Sequence, residues 1–349
     1  MKIGFIGQGW IGKNYADALE DGGYEVVRYA LEEPFLKNRE VMPSCDIVFI
    51  AVPTPSTPEG FDDTNVRDAL QYVGVGKTAV IKSTILPGTT RRLAETHPDK
   101  FVLHAPEFLR ESYARYDVDN PERVIVGMPF ETPEYRSRAE QVLAVHPRAN
   151  YQKITSAEEA EFIKYTHNTF GYVTIVYANL MYDLAQKIGV DWGVMKEAIL
   201  NNSWYPSKYL DPNHKGGRGA GGHCFIKDFA ALRELFEREL PEDKEALSLL
   251  HAFETKNNKM LRESGKDLDL LEGVYGKLDE DISEMEEVLM KEGDDIEAMA
   301  SARKRDDLPT LEAAYIRAGE DLAKLADAYE ETGEDLTTIE AISDGHKVS

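Results

Sequence analysis

The side chain best placed for covalent chemistry lies in the glycine-rich stretch GGRGAGGHCFIKD, residues 216–228, which holds five glycines and Cys224. Lys227 and Asp228 follow shortly afterwards, at the start of a helix predicted over 228–238. A neighbouring cation and a helix N-terminus both favour a thiolate, so we expect a lowered pKa for Cys224 and a nucleophilic role. The alternative is a small buried apolar side chain, which is our interpretation of Cys45 at the start of a predicted strand.

A zinc site is a weaker interpretation of the same stretch. His214, His223 and Cys224 are close in sequence, but neither a paired CxxC nor an HxxxH motif accompanies them. We predict no metal site.

A second pair of polar residues stands four apart in EFIKYTHNTF, where Lys164 and Asn168 share one face of a predicted helix. A solvated lysine and a tolerated asparagine are the alternative. The flanking Phe162, Ile163 and Phe170 favour a face that looks into a cleft.

Further polar residues follow predicted strands. Thr84 ends the strand in KST, and Glu107 and Glu111 follow another in HAPEFLRES. The carboxyl ends of parallel strands line the ligand crevice of an α/β domain, so these residues are candidates for the site. A helix-initiating turn is the alternative, and for Glu111 a plain surface charge.

Gly7, Gly9 and Gly12 form a GxGxxG motif between the first predicted strand and a helix. Such glycines allow a tight turn and let a pyrophosphate approach the helix N-terminus, so the motif predicts a dinucleotide site. The alternative is a packing turn that binds nothing.

The acid that usually holds the adenosine ribose is missing from the end of the second predicted strand, where Ala30 stands. Glu32 and Glu33 come slightly later, and Arg28 is a cation that favours a 2′-phosphate if its side chain does not face the sheet. We expect NAD, with NADP left open.

Six short apolar segments alternate with helical stretches over residues 1–153, from MKIGFIG to RVIVGM. Continuous apolar runs such as DIVFIAV are typical of strands buried on both faces, so we predict a doubly wound parallel sheet of the Rossmann type. Residues 154–264 read as an all-α domain. It opens with one long helix, for which Ser156 is the predicted N-cap with Glu159 three residues on.

Charge separates the last part of the chain from the rest. The 349 residues carry a net −23, of which residues 265–349 contribute −16. The apolar residues of this segment recur at helical spacing, which predicts an acidic helical extension. We expect its helices near 278–290 and 310–330 to dock by their apolar faces onto the core or another subunit.

The overall charge argues against nucleic acid and anionic membranes as partners. We expect a cytoplasmic protein, because two cysteines are too few for a disulfide framework and no signal peptide is evident.

Taken together, these motifs resemble the nucleotide-sugar dehydrogenases, the UDP-glucose/GDP-mannose dehydrogenase family, and within it the UDP-glucose 6-dehydrogenases. The resemblance covers about residues 1–264. It rests on six motifs in the family's order: GxGxxG, VPTP (52–55), KSTILPGTT (82–90), PEFLRE (106–111), the KxxxN pair at 164 and 168, and GAGGHCFIKD (219–228).

The resemblance implies a four-electron oxidation of a sugar primary alcohol to a carboxylate by two NAD. It makes Cys224 the nucleophile that forms a thiohemiacetal and then a thioester. Lys164 and Asn168 stabilise oxyanion charge, and Asp228 holds a water or proton partner near Lys164. Glu107 assists thioester hydrolysis with water ordered by Thr84.

The resemblance also implies two sets of binding residues. The cofactor set is Gly7, Gln8, Gly9, Trp10, Ile11, Gly12, Val52, Pro53, Thr54, Thr84, Glu111 and Lys227. The substrate set is Glu107, Phe108, Leu109, Arg110, Lys164, Asn168, Lys215, Arg218, Gly221 and Cys224. Lys215 and Arg218 are the basic candidates for the diphosphate.

The family's members carry a third, C-terminal α/β domain, whereas this chain continues into the acidic segment. UDP-glucose, oxidised to UDP-glucuronate for polysaccharide biosynthesis, is the expected substrate, with GDP-mannose and N-acetylated UDP-hexosamines as alternatives. Two other functions stay open: a two-domain hydroxyacid dehydrogenase, which needs no cysteine, and a degenerate binding or assembly protein.

The predicted helix that contains Phe170 and Leu184 has apolar residues around much of its circumference. Such a helix must be covered on more than one side, so we predict a homodimer or a larger homo-oligomer.

Overall fold

The computed structural model describes residues 1–202 and 209–276. Its centre is a seven-stranded sheet in the order β2-β1-β3-β6-β7-β8-β9, accompanied by two short hairpins, β4-β5 and β10-β11. The strands are β1 (Lys2–Ile6), β2 (Glu25–Tyr29), β3 (Ile47–Ile50), β4 (Ser56–Thr57), β5 (Gly60–Phe61), β6 (Thr78–Ile81), β7 (Phe101–His104), β8 (Arg123–Met128), β9 (Tyr151–Ser156), β10 (Asn213–His214) and β11 (Gly217–Arg218).

The central strands are buried on both faces, as their apolar sequences require. Every residue of β3 and of β6 is buried, and these strands pair in parallel from Ile47 opposite Thr78 to Ile50 opposite Ile81. The Rossmann-type α/β domain predicted from the sequence is confirmed.

Two features of the sheet were not predicted. Strand β8 runs antiparallel to β7, so the sheet is mixed and the wholly parallel sheet predicted from the sequence is wrong at this pair, because an apolar run indicates a buried strand but not its direction. Strand β9 then adds a seventh strand at the edge, parallel to β8. Its sequence YQKITS is exposed or half-buried throughout, and an edge strand of this kind lacks the apolar run that marks the central strands.

Helices cover both faces of the sheet. On one face, side chains of α1, α4 and α5 pack in a cluster with Phe5, Phe49 and Leu103. On the other face, α2 and α3 pack against Val48, Ile50 and Ile81. These helices are α1 (Trp10–Asp21), α2 (Thr64–Leu70), α3 (Thr89–Thr96), α4 (Ala114–Asp119) and α5 (Pro133–Val145), with 3₁₀ helices at Leu36–Ser44 and Glu111–Tyr113.

The long helix α6 (Ala157–Ile188) leads from the sheet into the helical part of the chain. Ser156 and Glu159 form the reciprocal capping box that their spacing predicts, and Gly189, with φ 76°, ends the helix in a left-handed conformation. The remaining helices are α7 (Trp192–Leu200), α8 (Gly222–Glu239), α9 (Lys244–Ser264) and α10 (Leu268–Tyr275).

A separate core joins α6, α8 and α9. Tyr172 of α6 stacks on Phe229 of α8 at a ring-centroid distance of 3.9 Å, and Val176 and Met260 complete the cluster. This packing fixes α8 against α6, and therefore fixes the residues at the start of α8 against the middle of α6.

The predicted helices near 278–290 and 310–330 lie outside the described residues. Within the part of the chain that the structure describes, no helix combines the length and hydrophobicity needed to cross a membrane.

Candidate active site

The turn between β1 and α1 shows why its three glycines differ. Gly7 has φ +92°, and a Cβ there would lie 2.2 Å from the Ala51 carbonyl oxygen. A Cβ on Gly12 would lie 1.9 Å from the Gly7 carbonyl oxygen, whereas a Cβ on Gly9 would meet nothing within 4 Å. The first and third glycines therefore permit close packing, and the second leaves open space before the α1 N-terminus, where a pyrophosphate fits.

The rest of this turn is oriented by local contacts. The amide of Gly7 donates to the Tyr29 carbonyl at 2.9 Å, and the Gln8 side chain donates to the Gly7 carbonyl at 3.2 Å. Trp10 is exposed and Ile11 is half-buried at the beginning of α1.

The cation at the end of β2 is already paired. The Arg28 guanidinium contacts Asp17 at 2.6 Å and Glu20 at 2.5 Å, both on α1. A group held by two carboxylates is poorly available to a 2′-phosphate. Glu32 and Glu33 follow the strand as exposed side chains.

The motifs after β3 and β6 are tied together. The Ser83 hydroxyl accepts a hydrogen bond from the Val52 amide and donates to the Val52 carbonyl, at 3.0 and 2.7 Å. The Thr54 hydroxyl donates to the Thr84 carbonyl at 2.7 Å, and the Pro53 carbonyl accepts from an asparagine side chain. These bonds hold Thr84, which is half-buried, at the carboxyl edge of the sheet.

Glu107 follows β7 at the same edge and is only 5% exposed. One carboxylate oxygen accepts the amides of Phe108 and Leu109 at 2.6 and 3.0 Å. The other oxygen lies 3.4 Å from the ammonium nitrogen of Lys82. Arg110, by contrast, is exposed and pairs with Asp117 at 2.5 Å.

The Lys164 and Asn168 side chains on α6 are buried inside the protein. Lys164 and Asn168 are 9% and 6% exposed, and the Asn168 amide donates to Asp228 of α8 at 2.5 Å. The other oxygen of Asp228 accepts from Lys227 at 2.6 Å. The Lys164 ammonium lies 5.4 Å from the centroid of the Phe108 ring. Lysine, asparagine and aspartate from two helices therefore form one buried polar cluster.

Cys224 lies beside this cluster, but not ahead of the helix as the sequence indicated. Helix α8 begins at Gly222, six residues before the predicted start, so the thiol belongs to its first turn. The N-cap is Gly221, in extended backbone. Glycine has a low helix propensity, so helix propensity alone does not predict that the helix begins at Gly222.

The expected lowering of the Cys224 pKa is wrong for this structure. Although the side chain is accessible to solvent, desolvation by the surrounding protein raises the pKa of the thiol, and Asp228 raises it further. The charges of Lys164 and Lys227 act in the opposite direction and are outweighed. Cys45 is fully buried in the sheet domain, as expected, and burial raises its pKa to about 11.

The glycine-rich loop is clamped by the segment that follows α9. The Lys266 ammonium donates to the Gly219 carbonyl at 2.8 Å, and the Asp267 carboxylate accepts the Gly222 amide at 2.7 Å. A Cβ on Gly221 would lie 2.0 Å from that carboxylate. These contacts indicate that glycine here allows close packing of two segments, in addition to exposing backbone to a ligand.

The two basic residues expected to meet a diphosphate both have protein partners. Arg218 contacts Asp183 at 2.6 Å and the Asn179 side chain at 2.9 Å, both on α6. Lys215 is exposed and pairs with Glu111 at 2.6 Å. Lys215 and Glu111 therefore come together, and the Arg218 guanidinium faces α6.

Three residues that matter to this arrangement were not selected from the sequence: Lys82, Glu161 and Asp267. Glu161 of α6 accepts hydrogen bonds from the Gly88 amide and from the amide and hydroxyl of Thr90, at 2.5–2.8 Å. It thereby anchors the turn that follows Thr84, and burial raises its pKa to about 7. Its position one helical turn before Lys164 was the available signal.

Comparison with known proteins agrees with this geometry. Residues 35–145 match the NAD binding domain of the UDP-glucose/GDP-mannose dehydrogenase family, and residues 158–259 match the family's central domain. The chain belongs to this family. An NAD-binding domain, as the sequence predicted, is thereby confirmed.

Individual relatives give the same result. The chain is 30% identical over 258 residues to the UDP-glucose 6-dehydrogenase of Rickettsia prowazekii, covering 70% of this chain and 58% of that protein. It resembles the structure of a UDP-glucose dehydrogenase from Pyrobaculum islandicum, with a TM-score of 0.63, 26% identity, and coverage of 75% of this chain and 68% of that one. A UDP-D-ManNAc dehydrogenase from Pyrococcus horikoshii gives a TM-score of 0.63 at 25% identity, covering 75% and 69%.

Proposed function

We propose that this protein catalyses the NAD-dependent four-electron oxidation of a nucleotide sugar, converting its primary alcohol to a carboxylate through Cys224. The observation that carries the proposal is the placement of an accessible thiol in the first turn of α8, where the charges of Lys164, Lys227 and Asp228 all act on it. A hydroxyacid dehydrogenase transfers one hydride and has no use for this thiol.

The glycine turn and the loops after β3 and β6 would hold NAD, with Gly9 facing the pyrophosphate. When bound, NAD accepts one hydride in each of the two oxidation steps.

Residues of this chain supply the remaining chemistry. The primary alcohol first loses a hydride and, to water held by Asp228, its hydroxyl proton, which gives the aldehyde. The Cys224 sulfur then loses its proton and bonds to the aldehyde carbon, while the aldehyde oxygen takes up a proton. The resulting thiohemiacetal loses that proton and a second hydride and becomes a thioester. Lys164 and the Asn168 amide stabilise negative charge on the substrate oxygen, which a buried site strengthens. Because its pKa is raised, the thiol needs a proton acceptor, and we assign this role to Asp228, whose charge acts on the thiol more strongly than that of Glu111.

Hydrolysis completes the reaction. Water, ordered by Thr84, adds to the thioester carbon as Glu107 accepts a proton. The carbon–sulfur bond then breaks, its electron pair returns to Cys224, and the product is a carboxylic acid that ionises.

We propose UDP-glucose as the substrate, with GDP-mannose and UDP-N-acetylhexosamines as the alternatives that the family's range supports. The diphosphate is expected at the loop of Lys215 and Arg218, which requires their ion pairs with Glu111 and Asp183 to be exchanged or shared.

The test is NADH formation against a panel of nucleotide sugars. We expect turnover with one of them, and its loss in Cys224→Ser. Cys45→Ala is the matched control, since Cys45 is fully buried in the sheet domain, and it should keep activity. Full activity in Cys224→Ser contradicts the nucleophile, whereas inactivity of the parent protein with the entire panel favours the binding or assembly alternative.

A further inference from the structure

Lys82 and Glu107 form a buried ion pair at the carboxyl edge of the sheet. Lys82 directly follows β6, and Glu107 follows the neighbouring β7, whose His104 is paired with Ile81. Their side chains are 1% and 6% exposed, and the ammonium nitrogen is 3.4 Å from a carboxylate oxygen. The same nitrogen lies 3.3 Å from the Ala105 carbonyl oxygen.

The surroundings of the Lys82 ammonium are mainly aromatic. It lies 4.0 Å from the centroid of the Tyr15 ring and 5.9 Å from that of Phe49. Cation–π attraction offsets part of the desolvation of the ammonium, but Glu107 is its charged partner here. The ammonium and the carboxylate therefore depend on each other.

The other carboxylate oxygen of Glu107 is held by backbone. It accepts the amides of Phe108 and Leu109, so both oxygens of the carboxylate have donors. Three donors, the Lys82 ammonium and two backbone amides, therefore fix the direction of this side chain. An ionised carboxylate in a fixed position is what a general base for water requires.

We propose that Lys82 is a positioning residue that holds the Glu107 carboxylate in place and aims it for hydrolysis of the thioester. This inference rests on the proposed function. In the step concerned, the water oxygen bonds to the thioester carbon, a water proton passes to Glu107, and the carbon–sulfur electron pair leaves with the Cys224 sulfur. Lys82 touches neither substrate nor water; it acts through Glu107.

Other titratable groups near the pair lie on α1, α4, α6 and β7, and at His146, which follows α5. Burial lowers the pKa of Lys82 while Glu107 raises it, and Lys164 of α6 acts to lower it. His104 and His146 have pKa values lowered to about 3 by burial, so they are neutral above about pH 4. Tyr15 of α1 has a pKa raised well above its ordinary value by burial, Glu107 and Asp117 of α4, and stays neutral.

The test compares Lys82→Met with Lys77→Met. These lysines stand immediately after and immediately before β6, and Lys77 pairs with Asp46 at 2.8 Å, at the strand end opposite Lys82. In Lys82→Met we expect the pre-steady-state burst of NADH to persist while steady-state turnover falls about 100-fold or more. Lys82→Arg should restore part of the steady-state rate, because it returns a cation to the side chain that contacts Glu107. Lys77→Met should match the parent.

In a folded Lys82→Met variant, two results overturn the proposal: steady-state turnover equal to the parent's, or an equal loss of burst and steady-state turnover. If Lys82→Met does not fold, the double variant Lys82→Met/Glu107→Gln decides, because it removes both charges. Recovery of folding in the double variant supports the pairing, whereas a double variant that also fails to fold refutes it. If the parent protein oxidises no nucleotide sugar, the hydrolytic role fails with the proposed function, and urea unfolding of the parent, the single variants and the double variant still measures the ion pair.

Discussion

The glycine turn before α1 allows a sharp test, because two of its glycines have opposite surroundings. In Gly12→Ala the new methyl would lie 1.9 Å from the Gly7 carbonyl oxygen, well inside an ordinary contact of about 3.5 Å. Helix α1 must shift, and such overpacking costs about 1–3 kcal/mol of unfolding free energy. In Gly9→Ala the methyl meets no protein atom within 4 Å, and the backbone, at φ −67°, suits alanine.

We therefore expect Gly9→Ala to lose about 0.5–1 kcal/mol at most, from the helix N-cap. Its methyl would occupy the space assigned to the pyrophosphate. Loss of one charged hydrogen bond is worth about 1.5–3 kcal/mol, so the NAD dissociation constant should rise about 10- to 100-fold.

Calorimetric titration with NAD and urea unfolding measure the two effects separately. Gly273→Ala is the control, since a Cβ there also meets nothing within 4 Å and the residue lies in α10. Gly273→Ala should lower neither the affinity for NAD nor the free energy of unfolding. Unchanged NAD affinity in Gly9→Ala would refute the assignment of the phosphate site, and parent-like stability in Gly12→Ala would refute the packing argument.

Three further predictions concern stability, cofactor choice and assembly. His104 and His146 have native pKa values of about 3, so the unfolded state binds more protons than the native state below pH 6.5. As the pH is lowered from 6 to 4, the free energy of unfolding should therefore fall by about 1.4 kcal/mol per pH unit for each histidine. In His104→Leu, the unfolding free energy measured with urea should depend less steeply on pH. Because Arg28 is held by two carboxylates, calorimetry should give an affinity for NADP at least about tenfold below that for NAD; equal affinities would contradict this. Phe170 and Leu184 are 61% and 54% exposed on α6, so light scattering should show a homodimer that Phe170→Glu converts to monomer; a monomeric parent at micromolar concentration would contradict it.

Much of this architecture follows from sequence patterns because the patterns reflect local physics. The buried strands β3 and β6 are continuous apolar runs, and the start of α6 is set by the capping box of Ser156 and Glu159. The spacing of Lys164 and Asn168 placed both on the buried face that meets Asp228.

The remaining features depend on partners distant in sequence. Lys82 reads as an ordinary strand-end lysine, and only the neighbouring strand supplies Glu107 as its counter-ion. Asp267 follows α9, yet it binds the N-terminus of α8 through the Gly222 amide. The raised pKa of Cys224 likewise arises from desolvation in the assembled fold, which the local cations did not reveal.

The central claim, a four-electron oxidation through a thioester on Cys224, is tested most directly by measuring NADH stoichiometry and peptide masses after digestion of one quenched reaction. The account predicts two NADH per carboxylate formed. It also predicts a transient adduct of uronyl mass on the peptide that contains Cys224, which accumulates in Glu107→Gln. One NADH per product with no mass change on that peptide would contradict it.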